Sequence, residues 1–359
     1  MSALAAIRMG IHVRTLSPTP SGPVAGLGEA FSGDWKDKKV MKDFVTGCDV
    51  ITVESEWAPA EVAEEVAGSI PVYPRAETLK IIRHKGLQRN VLLDSGLPST
   101  QFRLCSSIEE AKEACAELGF PVVFKRYQGS YDGYGNRTVH SADDIEGAWK
   151  VLTDSDGLLV EQWVPFVREL AVMVSRRPSG EYVVYPVVHI EQRNHRCHSA
   201  VVPAPSSQNV QDRAKKLAIR AAVSLNVVGM LGVEFFEMAD GSVLINELAP
   251  RPHNSGHFSI EACKTSQFEN HVRSILDWPL GDPSLRVPAA AMVNILGQRT
   301  GMASSHTLKI ASDVHDAAIH IYGKTETRPD RKMGHVTVTA DQPHDALLRA
   351  EETVSRILL

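Results

Sequence analysis

GVEFFEMADGSVLINELA (residues 232–249) is the stretch on which the fold turns. Apolar residues alternate on either side of Asp240-Gly241, the pattern of two antiparallel strands joined by a tight turn. A two-residue turn there sets 239 against 242, and the ladder then brings Glu234 directly opposite Glu247 on one face. Cβ atoms so paired lie about 4.5–5.5 Å apart, where like charges repel unless something bridges them. A hard cation with oxygen ligands relieves that repulsion, and Mg²⁺ carried by nucleotide phosphates suits it. An open sheet face with water around both carboxylates satisfies the same residues. Both readings stand at this point.

Outward from the hairpin, the polar segment APRPHNSGH (249–257) precedes helical residues to about 276. Upstream, strands are expected at 158–163, 169–175, 182–190 and 196–202, and a helix at about 210–226. Earlier still, the apolar strand FPVVFK (120–125) runs into RYQGSYDGYGN (126–136). Gly129, Gly133 and Gly135 let backbone N–H groups turn toward an anion, and Lys125 adds a positive charge. The G-K-[ST] ending of a Walker A loop is missing, and a purely structural hairpin loop remains an alternative.

The first eighty residues alternate strand and helix signals: a helix tail at 2–9, strands at 11–16 and 49–54, a helix at 59–67 and a short strand at 71–73. That order implies an α/β protein with a Rossmann-like parallel sheet at its N-terminus. Such a sheet opens on a strand and a glycine-rich turn, whereas this chain begins inside the helix that follows them, so a truncated start is expected. A helix at 84–95, strand 101–104, helix 107–118, strand 137–140 and helix 142–152 come next. With PLGDPS (279–284) as a linker, the expected units are 1–83, 84–278 and a small mixed C-terminal lobe, 279–359.

The whole chain has 359 residues, with 38 Lys plus Arg against 43 Asp plus Glu, a net charge of -5. That balance argues against nucleic-acid or anionic-membrane binding, which needs a basic excess. No apolar run reaches the roughly 18 residues of a membrane helix, and the N-terminus lacks signal-peptide features. Cys48, Cys105, Cys115, Cys197 and Cys263 are scattered without a C-x-x-C pair, so a reducing cytoplasm is the expected location. HIEQRNHRCH (189–198) fits no standard zinc spacing, and in a strand His198 faces away from His195 and Cys197. Pro252 and Gly256 argue against a helix that would align His253 with His257, and Ser266-x-x-Glu269 reads as a capping box.

Taken together, YDGYGN (131–136), VEQWVPFVRELAVMV (160–174), YPVVH (185–189), residues 232–273 and YGKTETRPDRKMGH (322–335) resemble the ATP-grasp superfamily. Within it the chain is most similar to the 5-(carboxyamino)imidazole ribonucleotide synthetases, especially the fungal branch. INELAPRPHNSGH with its downstream SQFENH is the most specific match. The resemblance implies an ATP-grasp fold and a carboxylating ligase of purine synthesis. Its expected substrates are ATP, bicarbonate and aminoimidazole ribonucleotide, with Mg²⁺ as cofactor, in a homodimer. Other outcomes consistent with the resemblance are a catalytically impaired nucleotide-binding homologue or another purine-pathway ATP-grasp ligase.

Residue by residue, the resemblance implies Glu234 and Glu247 as metal ligands and Lys85 and Lys125 as phosphate holders. Ser130, Tyr131, Asp132, Gly133, Tyr134, Gly135 and Asn136 correspond to the loop over the triphosphate. Glu161, Gln162, Trp163 and Val164 correspond to the adenine hinge, Glu169 to the ribose ligand, and Gln192 and Asn246 to further nucleotide contacts. Arg251, His253, Asn254 and Ser255 correspond to the segment facing bicarbonate and the imidazole, and Lys324, Arg331 and Lys332 to the 5′-phosphate group. Asp132, Arg251 and Lys324 are the implied catalytic residues. The chain departs from the pattern at Tyr134, where Arg is usual, at Gln192, where many members have His, and at Trp57, where a smaller polar residue is usual.

Overall fold

The computed structural model describes residues 1–20, 22–55, 58–129, 135–153, 156–193, 196–303 and 315–359. Its framework is an antiparallel sheet whose strand order is Val243–Ala249, Gly229–Glu237, Arg168–Arg176, Val188–Arg193, Arg196–Val202, Ala289–Leu296, Lys332–Ala340 and Ala317–Ile321. Tyr182–Val184 pairs separately with Arg168–Arg176. The single strand expected over 182–190 is thus two, interrupted at Pro186, which has no N–H to give a ladder.

Both faces of this sheet are covered, which is why the run Leu170–Val174 is apolar at every position rather than at alternate ones. On one face the helix Gln208–Ser224 lays Ala214, Leu217, Ala218 and Ala221 against Leu170, Val172 and Val174. On the other, Phe258 and Ala262 pack with Ala171, Met173 and Met292. Each fully buried Leu, Val, Met or Phe contributes about 1.5–3 kcal/mol against exposure, before chain entropy. The sheet runs on past the Pro- and Gly-rich segment at 279–284, because residues 199–202 pair in register with 290–293.

A second, four-stranded antiparallel sheet has the order Phe102–Cys105, Leu158–Gln162, Val122–Arg126, Asn136–Val139. The helices Ile108–Leu118 and Ile145–Leu152 cover one face of it, burying Val122, Phe124, Leu158 and Val160. Strand periodicity then turns Val123, Lys125 and Glu161 to the opposite face, toward a cleft. Ser107 caps the first helix by accepting the N–H of Glu110.

At the N-terminus Arg14–Ser17 pairs in parallel with Glu29–Ser32, and Ile51–Thr52 in parallel with Val72–Tyr73. Helices Ser2–Arg8, Lys38–Val45 and Ala60–Ala67 accompany them. A part-buried hydrogen bond, His271 Nε2 donating to Thr52 Oγ1 at 2.9 Å, ties this region to the helix Gln267–Ile275. His271 Nδ1 accepts the N–H of Met230 at 3.1 Å, so the ring is neutral with its proton on Nε2. The expected helix at 84–95 runs Lys85–Asp94 and directly follows another, Ala76–Arg83, with His84 as the break between them.

Candidate active site

A cleft of about 1260 Å³ opens between the two sheets and the flanking N- and C-terminal segments. The carboxylate hairpin forms part of its wall. Glu234 does pair with Glu247, but the turn is not the expected two-residue one. Met238 N–H bonds to Ser242 O and Gly241 N–H to Met238 O, so Ala239, Asp240 and Gly241 make a three-residue loop, with Gly241 at φ +77. That shifts the ladder by one, pairing Phe235 with Ile245, until a bulge at Asn246 shifts it back. Two irregularities cancel, and both carboxylates end on one face.

The bulge also leaves the Asn246 carbonyl out of the ladder, where it accepts Arg89 Nη2 at 2.7 Å. Arg89 Nε bonds the Glu161 carboxylate, whose other oxygen lies 2.6 Å from Lys125 Nζ. One turn earlier on Arg89's helix, Lys85 Nζ meets Glu247 Oε1 at 2.8 Å. A single helix face therefore holds the small sheet through Glu161 and the hairpin through Glu247 and Asn246. The Glu161 side chain serves this buried ion cluster at the cleft wall, and Gln162, Trp163 and Val164 beyond it line the cleft as well.

The charges respond to these surroundings. Burial would raise the Glu161 carboxyl, but Arg89 and Lys125 outweigh it and hold it at about 2. Burial pushes the Lys125 ammonium down, with Glu161 opposing. Burial, and then the neighbouring Glu247, push the Glu234 carboxyl up; Lys85 overcomes the burial penalty at Glu247 and keeps it ionised. His253 Nε2 stands 3.5 Å from Glu234. Among the described residues no three His, Cys, Asp or Glu side chains gather to hold a metal alone. Two opposed carboxylates nonetheless suit a cation that completes its shell with phosphate oxygens and water, as Mg²⁺ does.

Glu169 lies across from Phe236 on the next strand, and burial raises its carboxyl to about 7. A hydrogen bond from the Gln192 side chain opposes that rise, and Glu169 Oε2 is buried with no partner among the described residues. An unfilled, buried acceptor at the cleft wall is suited to donated hydroxyls.

The turn at 251–257 is held from behind. Gln267 Oε1 accepts the N–H of His253 at 2.9 Å, and Gln267 Nε2 donates to His253 O at 2.7 Å. Gly232 lets His253 lie this close, since a Cβ there would fall 2.6 Å from His253 Cβ. His253 Nδ1 meets Ser255 Oγ at 2.7 Å, and Asn254 exchanges two amide hydrogen bonds with the buried Asn294. Lys324 and Lys332 line the cleft, whereas Arg331 donates to Glu326 O at 2.7 Å and is absent from the lining. Arg251, His253, Asn254, Gln192, Asn246 and Asn136 line it too; Ser255 is buried behind His253. Gly135 O accepts the N–H of Arg126. Ser130, Tyr131, Asp132, Gly133 and Tyr134 lie outside the described residues, as do Trp57 and His195. His198 is a bulge residue bonded to Glu351 at 2.7 Å, while Cys197 faces the cleft.

Family models match the chain in three stretches: a ribonucleotide synthetase preATP-grasp domain over 1–83, an ATP-grasp domain over 90–268, and a phosphoribosylaminoimidazole carboxylase C-terminal domain over 290–349. N5-carboxyaminoimidazole ribonucleotide synthase from Mycobacterium bovis is 36% identical over 98% of this chain and 83% of its own length. The chain belongs to the N5-carboxyaminoimidazole ribonucleotide synthase family.

Members of this synthase family share its mixed α/β, ATP-grasp fold. The structure of N5-carboxyaminoimidazole synthase from Aspergillus clavatus, in complex with ADP and 5-aminoimidazole ribonucleotide, superimposes with a TM-score of 0.90 at 31% identity, covering 99% of this chain and 94% of that one. Phosphoribosylaminoimidazole carboxylase from Ogataea methanolica is 38% identical over 91% of this chain, but the match spans only 61% of that longer protein.

The sequence patterns do not single out Arg89, Gln267, Asn294 or Gly232 as site residues. Gln267 sits in the quoted SQFENH motif and Gly232 opens the hairpin, so both carried a signal. Nothing local marks Arg89 or Asn294.

Proposed function

We propose that this chain is an ATP-dependent ligase that carboxylates the exocyclic amine of 5-aminoimidazole ribonucleotide with bicarbonate. The products are N5-carboxyaminoimidazole ribonucleotide, ADP and phosphate, on the route to purines. The observation that carries the reading is one cleft lined by Lys85, Lys125, Glu169, Glu234 and Glu247 together with Arg251, His253, Asn254, Lys324 and Lys332.

A bicarbonate oxygen attacks the γ-phosphorus, the bond to the β-phosphate oxygen breaks, and ADP leaves. The amine nitrogen then attacks the carbon of carboxyphosphate, or of CO₂ released from it; phosphate departs and the amine proton is lost. Lys85 and Lys125 bind the phosphates and offset charge that grows on the transferred group. Glu169 accepts the ribose hydroxyls, and the 162–164 run with Gln192 and Asn246 borders the base and phosphates. Glu234 and Glu247 hold Mg²⁺, which when bound neutralises phosphate charge. Arg251, His253 and Asn254, with Ser255 supporting His253, orient bicarbonate and the imidazole. Lys324 and Lys332 face the ribonucleotide phosphate, and Arg331 joins them only by leaving Glu326. Residues 130–136, with Asp132 among them, are the proposed contacts of the triphosphate, where exclusion of water protects the intermediate.

The reading extends to a homodimer in the cytoplasm; the five cysteines, none disulfide-bonded, fit a reducing compartment. No helix among the described residues is long and apolar enough to cross a membrane. Mass analysis after incubation with ATP, Mg²⁺, ¹³C-bicarbonate and the ribonucleotide tests the chemistry. A labelled carboxylated ribonucleotide supports it, and unlabelled ribonucleotide beside newly formed ADP opposes it.

A further inference from the structure

Along one wall of the cleft runs a column of imidazoles that the reaction scheme leaves unused: His257 and His320 line the cleft, and His335 is buried between them. His335 stands across the ladder from His320, and their rings stack with centroids 4.5 Å apart and planes 17° apart. On its other side His335 packs against His257 at 4.9 Å. His335 Nδ1 shares a 3.0 Å hydrogen bond with the Tyr322 hydroxyl, and Nε2 is buried without a partner among the described residues. Such a group is costly unless its surroundings require it.

Each end of the column reaches a cleft-lining segment. Tyr322 carries Lys324, whose Nζ lies 5.7 Å from the Tyr322 ring and donates to Lys332 O at 2.6 Å. His257 Nδ1 lies 3.0 Å from Gln267 Nε2, and Gln267 clamps the backbone of His253 on both sides. Burial holds both His257 and His335 well below the usual imidazole range, so these two rings are neutral and can pack against one another.

We propose that His335 is a positioning residue for the ribonucleotide half of the cleft. Through Tyr322 it sets Lys324, and through His257 and Gln267 it sets the turn bearing His253 and Asn254. It thereby fixes the spacing between two segments from distant parts of the chain. The inference rests on the carboxylase reading above for what the two segments bind, but the spacing itself is read from contacts.

The test compares His335→Leu, His335→Asn and Tyr322→Phe with the unaltered full chain. Asparagine places an amide where Nδ1 stands and so keeps the bond to Tyr322, making it the conservative variant. His335→Leu and Tyr322→Phe are expected to raise KM for the ribonucleotide about tenfold or more, as small misplacements do, with KM for ATP unchanged. The double variant is expected to be no worse than His335→Leu alone, and His335→Asn to recover most of the loss. A second readout needs no substrate: amine acylation followed by peptide mass mapping. Labelling of Lys324 should rise several-fold in His335→Leu, relative to the exposed Lys264, as its setting loosens. Equal changes in both KM values, or unaltered Lys324 labelling in His335→Leu, overturn the proposal. If the unaltered chain shows no ribonucleotide-dependent turnover, the carboxylase reading falls, while the labelling comparison still decides the positioning claim.

Discussion

The Glu234 carboxylate stands directly across the ladder from Glu247, with His253 Nε2 3.5 Å from the first and Lys85 Nζ 2.8 Å from the second. Two acids so placed in a partly dry cleft are not a stability device; they repel, and among the described residues only Glu247 is ion-paired with a lysine. The arrangement makes sense as a docking point for positive charge brought with a nucleotide. Glu247→Gln should therefore lower kcat by about 10²–10³, the scale of removing one preorganised electrostatic contact. Because the variant loses the repulsion with Glu234 along with the Lys85 pair, it should unfold at about the same denaturant concentration as the parent. Undiminished turnover in steady-state assays would remove Glu247 from the metal site.

Arg89 makes a different prediction, because it is buried and bonds both Glu161 and the Asn246 carbonyl. Arg89→Met leaves Glu161 with Lys125 as its only ion-pair partner among the described residues, and breaking a buried pair this way costs about 3–5 kcal/mol. Arg89→Lys keeps the charge but has no fork to span both acceptors, so it should lie between the two. Urea unfolding of the three proteins checks the order. Equal midpoints would mean that Arg89 is not the joint between the two sheets.

At Gly232 a single methyl is informative. Alanine there meets His253 Cβ at 2.6 Å, and Gln267 prevents the His253 backbone from yielding. Gly232→Ala should displace the imidazole from Glu234 and raise KM for the ribonucleotide about tenfold or more. The overpacking should also cost about 1–3 kcal/mol. Kinetics with each substrate varied in turn will show whether the ATP side is spared.

Acid sensitivity follows from His271. Burial pushes its imidazole from 6.5 down to about 4, and its Nδ1 must stay bare to accept Met230 N–H. The unfolded chain then takes up the proton first, so stability is fully present above pH 6.5 and falls as pH drops toward 4. Glu169 has the opposite sign: its carboxyl is raised to about 7, so it favours the folded state more as pH drops below that. The difference between the parent and His271→Asn isolates the histidine. That gap should shrink by about 1 kcal/mol per pH unit below 6.5, and a gap independent of pH would refute the tautomer assignment.

These sites show which parts of the fold sequence could reach. Alternation around Asp240-Gly241 marked the hairpin and the Glu234–Glu247 pair, yet it placed the turn one residue short and had no sign of the compensating bulge at Asn246. A bulge leaves no regular period to detect. Strand periodicity at 122–126 put Lys125 on the cleft face, because one face of that sheet must bury Val122 and Phe124. The break at Pro186 follows from its missing N–H, a signal available beforehand. Arg89 lay beyond reach, since its partners are 72 and 157 residues away and its helix neighbours say nothing of them. The same holds for Asn294 and Asn254, 40 residues apart. The placement of Arg331 outside the cleft lining was equally invisible, because a basic turn specifies charge and not direction.

The central claim is that the nucleotide half and the ribonucleotide half of the cleft act on one another. The most direct measurement is phosphate release from ATP, with Mg²⁺ and bicarbonate present, as aminoimidazole ribonucleotide is added. Release that rises with the ribonucleotide and saturates is the predicted result. Tight ATP binding with release indifferent to the ribonucleotide would contradict it and leave a nucleotide-binding homologue without the carboxylating step.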